Sequence, residues 1–161
     1  MNTYRAEATA LIKAPAAQVY GIIADYYNGH PYILPQPYFS NLEVEQGGIG
    51  AGTHIRFKMS VMGQTRVVKG VVTEPEPGRV LVESYPADNI VTTFTVIPVE
   101  QGRYAEVTFT TEGPTRGGLA GAVERTMIVM LLKRIYRKEL KLLAQVATER
   151  ANATANAPAS A

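Results

Sequence analysis

From Tyr38 to Thr111 apolar and polar residues alternate with a period of two, and only short breaks interrupt the pattern. The breaks fall at GGIGAG (47–52), Met62-Gly63, EPEPG (74–78), PADN (86–89) and Gln101-Gly102. They cut the segment into six strands, roughly 38–46, 53–61, 64–73, 80–85, 90–97 and 103–111. Connections this short join neighbouring strands antiparallel, since a parallel pair needs a crossover of a dozen residues or more.

What flanks the segment completes the architecture. Residues 3–13 alternate as a further strand, with Tyr4, Ala6, Ala8, Ala10 and Ile12 on one face. APAAQVYGIIADYY follows as a short helix, with Pro15 suited to a first helical position and Val19, Ile22, Ile23 and Tyr26 as its apolar face. NGHPYILPQP holds three prolines within seven residues, which predicts a loop with at most one helical turn. After Gly113-Pro114 the pattern is helical from about 116 to about 150, and the small-residue tail 151–161 is expected to be disordered. The chain thus reads as one α+β domain, 1–150, with a curved seven-stranded antiparallel sheet wrapped around a long C-terminal helix and two short helices after the first strand.

Composition narrows the chemistry. With no cysteine there is no disulfide, zinc–thiolate site, iron–sulfur cluster or thiol nucleophile, and His30 and His54 are too few for a multi-histidine metal site. No metal and no cofactor is expected. Sixteen Lys plus Arg against fourteen Asp plus Glu give a net charge of +2, which does not suggest a nucleic-acid partner. The first residues lack a basic stretch followed by an apolar one, and no apolar run approaches the ~20 residues that span a bilayer. Stable membrane insertion is not expected, and the cytoplasm is the expected location.

The turns set the register, and the register decides what faces inward. A two-residue Met62-Gly63 turn places Val61 opposite Gln64, Phe57 opposite Val68 and Ile55 opposite Gly70. The PADN loop places Tyr85 opposite Ile90, Glu83 opposite Thr92 and Leu81 opposite Phe94. The Gln101-Gly102 turn places Val96 opposite Val107, Phe94 opposite Phe109 and Thr92 opposite Thr111. A six-residue loop at 74–79 sets Val72 against Leu81 and Gly70 against Glu83. All four turns agree on one apolar face, while His54, Arg56, Lys58, Ser60, Lys69, Glu106, Thr108 and Thr110 share the other.

Arg66, Glu83, Thr92 and Thr111 fall on the apolar face, with Glu83 in a row Ile55–Gly70–Glu83–Thr92–Thr111. A buried carboxyl must be hydrogen-bonded, paired or protonated. Either Glu83 is an acid or a ligand-orienting group inside an apolar cavity, or a bulge turns it outward, or a cation pairs with it. Arg66, beside a turn, is expected to carry its charge to water at the sheet edge.

Tyr20, Tyr26, Tyr27, Tyr32, Tyr38 and Phe39 cluster within twenty residues, with Ile33 and Leu34 among them. The segment 26–39 reads either as a lid over a cavity mouth or as rings closing the core's open end. His30 reads as a solvated loop histidine with a general base as the rarer alternative, His54 has no role, and Asp25 caps or anchors the end of the first helix. Lys133, Arg134, Arg137, Lys138 and Lys141 form a basic stripe on the long helix, diluted by Glu124, Glu139 and Glu149, which reads as a solvated face.

The order of elements, with IKAPAAQVYGIIADY, EVEQGGIGAGTHIRF, EPGRVLVESY and VTTFTVIPVEQGRYAEVTFTTEG ahead of the long helix, resembles the START-like (SRPBCC) superfamily of polyketide cyclase/dehydrase, lipid-transport and pathogenesis-related proteins over about residues 3–148. The resemblance implies a helix-grip fold with a cavity between sheet and last helix, and a glycine-rich loop beside it at GGIGAG, where a plain flexible turn is the alternative. In this sequence the strands would line that cavity with Ile55, Phe57, Met59, Arg66, Val68, Glu83, Tyr85, Thr92, Phe94, Phe109 and Thr111. The lid would add Tyr26, Tyr32, Leu34 and Phe39, and the helix Met127, Met130 and Leu131 with Arg134 or Ile135.

Three functions follow. The first is a carrier of a hydrophobic, lipid- or polyketide-like small molecule, oriented by Glu83, Thr92, Thr111 and tyrosine hydroxyls. The second is an aromatase/cyclase- or dehydratase-type enzyme in which Glu83 moves a proton beside a carbonyl while Tyr85 or Tyr32 stabilises the enolate. The third is a protein-interaction module, which would go with a cavity filled by Phe57, Phe94 and Phe109. The sequence leaves the oligomeric state open.

Overall fold

The computed structural model describes residues 2–159. Seven strands, β1 (Asn2–Ile12), β2 (Phe39–Gln46), β3 (His54–Val61), β4 (Gln64–Glu76), β5 (Val80–Tyr85), β6 (Ile90–Val99) and β7 (Tyr104–Thr115), form one antiparallel sheet. Its order is β1-β7-β6-β5-β4-β3-β2, so the chain reaches one edge first and then fills the sheet hairpin by hairpin from the other. Helix α1 (Ala16–Ala24) and a 3-10 turn (His30–Tyr32) lie between the first two strands, and helix α2 (Gly118–Ala155) closes the fold.

Three of the four expected hairpin registers are present as read: Phe57 faces Val68, Glu83 faces Thr92, and Phe94 faces Phe109. The fourth differs. Strand β4 runs on to Glu76 and turns through Pro77-Gly78-Arg79, with an irregularity between Thr73 and Glu76, so Val72 rather than Gly70 stands opposite Glu83. The offset is two residues, and a two-residue shift keeps every side chain on its own face. Glu83 thus still points inward, and Gly70 lies instead under the Tyr85 ring, where a Cβ would come within 2.8 Å of Cε1.

Helix α2 rests on β1, β7, α1 and the 3-10 turn. Ile135, Leu143 and Ala147 recur at steps of eight and four and are fully buried, with Leu132, Tyr136 and Leu140 beside them. That stripe, together with Val19, Ile23, Val96, Val107 and Phe109, makes the solid half of the core. The helix also extends five residues past Arg150, through residues expected to be disordered, because Ala151, Ala153 and Ala155 are the strongest of helix formers. Residues 160 and 161 of that tail lie outside the described residues. Among the described residues no helix is long and apolar enough to cross a membrane.

Candidate functional site

Where the first half of α2 stands away from β3, β4 and β5, the fold leaves a cavity of about 630 Å³ that opens to the surface beside Met62. Phe39, Ile55, Phe57, Met59, Val68 and Phe94 supply apolar wall, Leu34 reaches in from the loop after the 3-10 turn, and Ile128, Leu131 and Leu132 form the helical side. The rings meet edge to face, Phe39 on Phe57 at 5.7 Å and Phe57 on Tyr85 at 6.0 Å, an arrangement that holds each ring plane in place.

Glu83 is buried in this wall. Its Oε1 accepts the hydroxyl of Tyr26 at 2.5 Å, and its Oε2 accepts the hydroxyl of Tyr85. Burial, then the charge of Glu83, pushes both phenols well above the ordinary tyrosine range, so they stay protonated donors. Neither the outward bulge nor an Arg66 partner is present. Arg66 instead bonds Asp88 at 2.6 Å at the cavity's rim.

His30 belongs to the same cluster, contrary to its reading as a solvated residue. The turn after α1 folds it inward until it is 3% exposed, stacked on Tyr26 at 4.5 Å and edge-on to Phe94 at 5.6 Å. Its Nδ1–H donates to the Ile23 carbonyl at 2.8 Å, because a carbonyl oxygen only accepts. The other ring nitrogen, Nε2, faces Glu83 Oε1 at 3.6 Å. The signal missed was His-Pro one turn beyond an amphipathic helix end, where Asp25 accepts the Tyr27 and Asn28 amides and folds the chain back.

On the other side of Glu83, Thr92, Thr111 and Tyr136 form a buried hydroxyl chain, Thr92 to Thr111 at 2.7 Å and Thr111 to the Tyr136 hydroxyl. Below it lies Glu139, expected on the solvated face. It is 4% exposed, lines the cavity, and has no hydrogen-bonding or cationic partner among the described residues. Burial, and then the charge of Glu83, pushes its carboxyl well above the usual range. Its place was legible: Ile135, Glu139, Leu143 and Ala147 follow at intervals of four on the one buried row.

Of the other residues expected at the cavity, Leu34, Phe39, Ile55, Phe57, Met59, Arg66, Val68, Tyr85, Thr92, Phe94, Thr111 and Leu131 line it. Tyr26 stands behind Glu83 and His30 and does not line it, and Phe109 and Ile135 are solid core. Tyr32 is exposed, as are Met127 and Met130, and Arg134 also points outward. Residues 127–132 are all apolar, so their composition carries no phase. The buried row at Ile135, Glu139 and Leu143 sets it, and turns Ile128, Leu131 and Leu132 inward.

The loop 26–39 is divided rather than wholly lid or wholly plug, with Tyr26 and Ile33 in the core and Tyr27 and Tyr32 at the surface. The glycine-rich loop 47–52 does not reach the cavity. It clasps the end of α1, accepting the Tyr26 amide at Gly48 and donating from Gly50 to Ala24, and Gly48 lets the Tyr27 ring lie against the backbone.

The family model described as polyketide cyclase / dehydrase and lipid transport matches residues 3–148. Among solved structures, the solution structure of KanY is 30% identical, with a TM-score of 0.79 over 92% of this chain and 99% of that one. A protein of Thermus thermophilus is 21% identical (TM-score 0.72, covering 91% of this chain and 98% of that one). The Zhui aromatase/cyclase of Streptomyces sp. R1128 is 16% identical (TM-score 0.72, 93% and 96%). These last two likenesses are of fold. No curated protein matches the sequence.

Proposed function

The chain belongs to the polyketide cyclase/dehydrase and lipid transport family, and from that premise we propose that it binds a hydrophobic small molecule, lipid- or polyketide-like, between sheet and helix. The observation that carries this reading is the cavity itself. About 630 Å³ lies within the ~300–1,000 Å³ of small-molecule sites, and an aromatic wall surrounds a few fixed polar groups. Phe57 and Phe94 border this space rather than fill it, which favours a pocket over the interaction module. Apolar walls supply affinity, while Glu83, Thr92 and Thr111 orient the ligand.

Native mass spectrometry of freshly purified protein, followed by organic extraction, tests the reading. A stoichiometric apolar adduct, or a mass shift on adding aromatic and lipid ligands, is expected. A clean mass with every ligand overturns it.

One arrangement favours a second reading, a cyclase- or dehydratase-type enzyme on a polyketide-like substrate. Glu83 has the His30 Nε2 3.6 Å from one oxygen and borders the cavity, as a group that moves a proton beside a substrate carbonyl must. The Tyr85 hydroxyl is already donated to Glu83, so it would turn to an enolate only as Glu83 takes up a proton. Turnover abolished in Glu83→Gln with ligand binding retained is the result expected of the enzyme.

A further inference from the structure

The charges around the cavity are unbalanced in one place. Two basic side chains line it, and both are engaged: Arg66 with Asp88 at 2.6 Å, and His30 facing Glu83 at 3.6 Å. Glu124, one helical stretch above, is held by Arg116 at 3.0 Å. Tyr4 on β1, Tyr85 on β5 and Tyr136 on α2 bring hydroxyls, not charges. Glu139 alone among the acidic groups of the cavity has no partner among the described residues, and the charge that acts on it is that of another carboxyl, Glu83.

A buried carboxyl without a partner has two states open to it. Empty, it keeps its proton. Occupied by a group that carries positive charge and N–H donors, it releases the proton and forms a charge-assisted hydrogen bond in a low-dielectric site. An anionic ligand meets the charge of Glu83 and finds no unpaired cation among the described residues. A neutral acceptor takes one hydrogen bond from the protonated carboxyl but brings no opposite charge, and the charge-assisted bond to an ammonium is the stronger of the two.

We infer that the ligand of this cavity has an aromatic or alicyclic body and one basic nitrogen, its ammonium seated on Glu139 and its rings among Phe57, Tyr85 and Phe94. The inference rests on the binding reading above and names the chemical class within it. Seating the ammonium turns Glu139 from acid to carboxylate, and one proton leaves to solvent for each ligand bound.

Three isosteric probes test it: 1-naphthylmethylamine, 1-naphthalenemethanol and 1-naphthoic acid, titrated by naphthalene fluorescence and by calorimetry in two buffers of different ionisation heat. The amine is expected to bind about tenfold or more tighter than the alcohol near pH 8, and the acid weakest. The amine's affinity rises with pH above the ordinary glutamate value, with release of up to one proton, while the alcohol's does not. In Glu139→Gln the amine falls to the alcohol's affinity and proton release vanishes, and unchanged alcohol binding certifies the variant's fold. Alcohol binding equal to amine binding at every pH, or an amine preference that survives Glu139→Gln, overturns the inference and leaves the pocket standing. Binding of none of the three, together with a clean native mass, overturns the inference and the binding reading alike.

Discussion

The hydroxyl of Tyr26, just past the first helix, donates to Glu83 Oε1 on the fifth strand at 2.5 Å, joining residues 57 positions apart. With Tyr85 on Oε2 and His30 stacked on Tyr26, it gives a carboxyl inside an aromatic wall the donors that burial demands. The end of the first helix is thereby tied to the centre of the sheet, and the polar centre of the cavity is held in one orientation.

Removing either phenol leaves one Glu83 oxygen without its donor. Tyr26→Phe and Tyr85→Phe are each expected to lower stability by about 1–3 kcal/mol, the cost of an unpaired buried acceptor. Because both act on one carboxyl, the double variant should depart from the sum of the two losses. Urea unfolding of the four proteins measures this, and strict additivity would show that the two bonds are independent.

Glu139 makes stability depend on pH in a stated direction. Its carboxyl holds a proton in the fold at pH values where the unfolded chain has already released it. Between the ordinary glutamate value, about 4.3, and the raised one, the folded state binds more protons, so stability falls as pH rises. Glu139→Gln should raise the urea midpoint near pH 7.5, with the gain vanishing at about pH 4. A variant less stable than the parent at pH 7.5 would contradict this.

Burial pushes the ionisation of Tyr4, Tyr20, Tyr26, Tyr85 and Tyr136 to higher pH. Above about pH 10 the unfolded chain releases tyrosine protons that the fold retains, so stability again falls with rising pH. Absorbance at 295 nm should therefore rise in two stages, the second coinciding with loss of the far-ultraviolet dichroism. A single smooth titration of all nine tyrosines would falsify the buried assignment.

Gly70 is the place where the sheet makes room for Tyr85. A methyl there would meet the ring at 2.8 Å, in contact range of Ile55 as well, so the ring must shift from its bond with Glu83. Gly70→Ala is expected to cost about 1–3 kcal/mol by overpacking and to weaken ligand binding. Equal stability in thermal unfolding would mean that Tyr85 can move freely.

The outward phase of the helical methionines gives a plain contrast. Met130→Gln should change stability by less than about 0.5 kcal/mol and leave ligand affinity alone, as surface substitutions do. Leu131→Ala, one residue on but within the cavity wall, should weaken binding. Reversal of that order would place the wrong face of the helix toward the sheet.

Much of this molecule was legible in its alternation and turns. Inward Ile55, Phe57, Phe94 and Phe109, inward Glu83, and outward Arg56, Lys58 and Lys69 all follow from period-two parity, which hairpins of known length propagate from strand to strand. Even the misjudged turn between β4 and β5 kept each residue on its face, because its error was an even number of residues. Parity is a local property, and the amino-acid sequence by itself determined it.

Packing alone set how far apart the layers stand and which side chains meet across them. The helix is phased by its buried row, so Glu139 points in and Met127 and Met130 point out, although charge and hydropathy alone suggest the reverse. His30 is buried because the chain after α1 folds back under Tyr26, a contact set by the path of a loop and not by any period. The partners of Glu83 come from the end of a helix, a turn and its own strand, and no local pattern joins them. Local alternation carries the face of each strand, and only the packing of helix against sheet places one carboxyl opposite its donors and turns another toward the open space of the cavity.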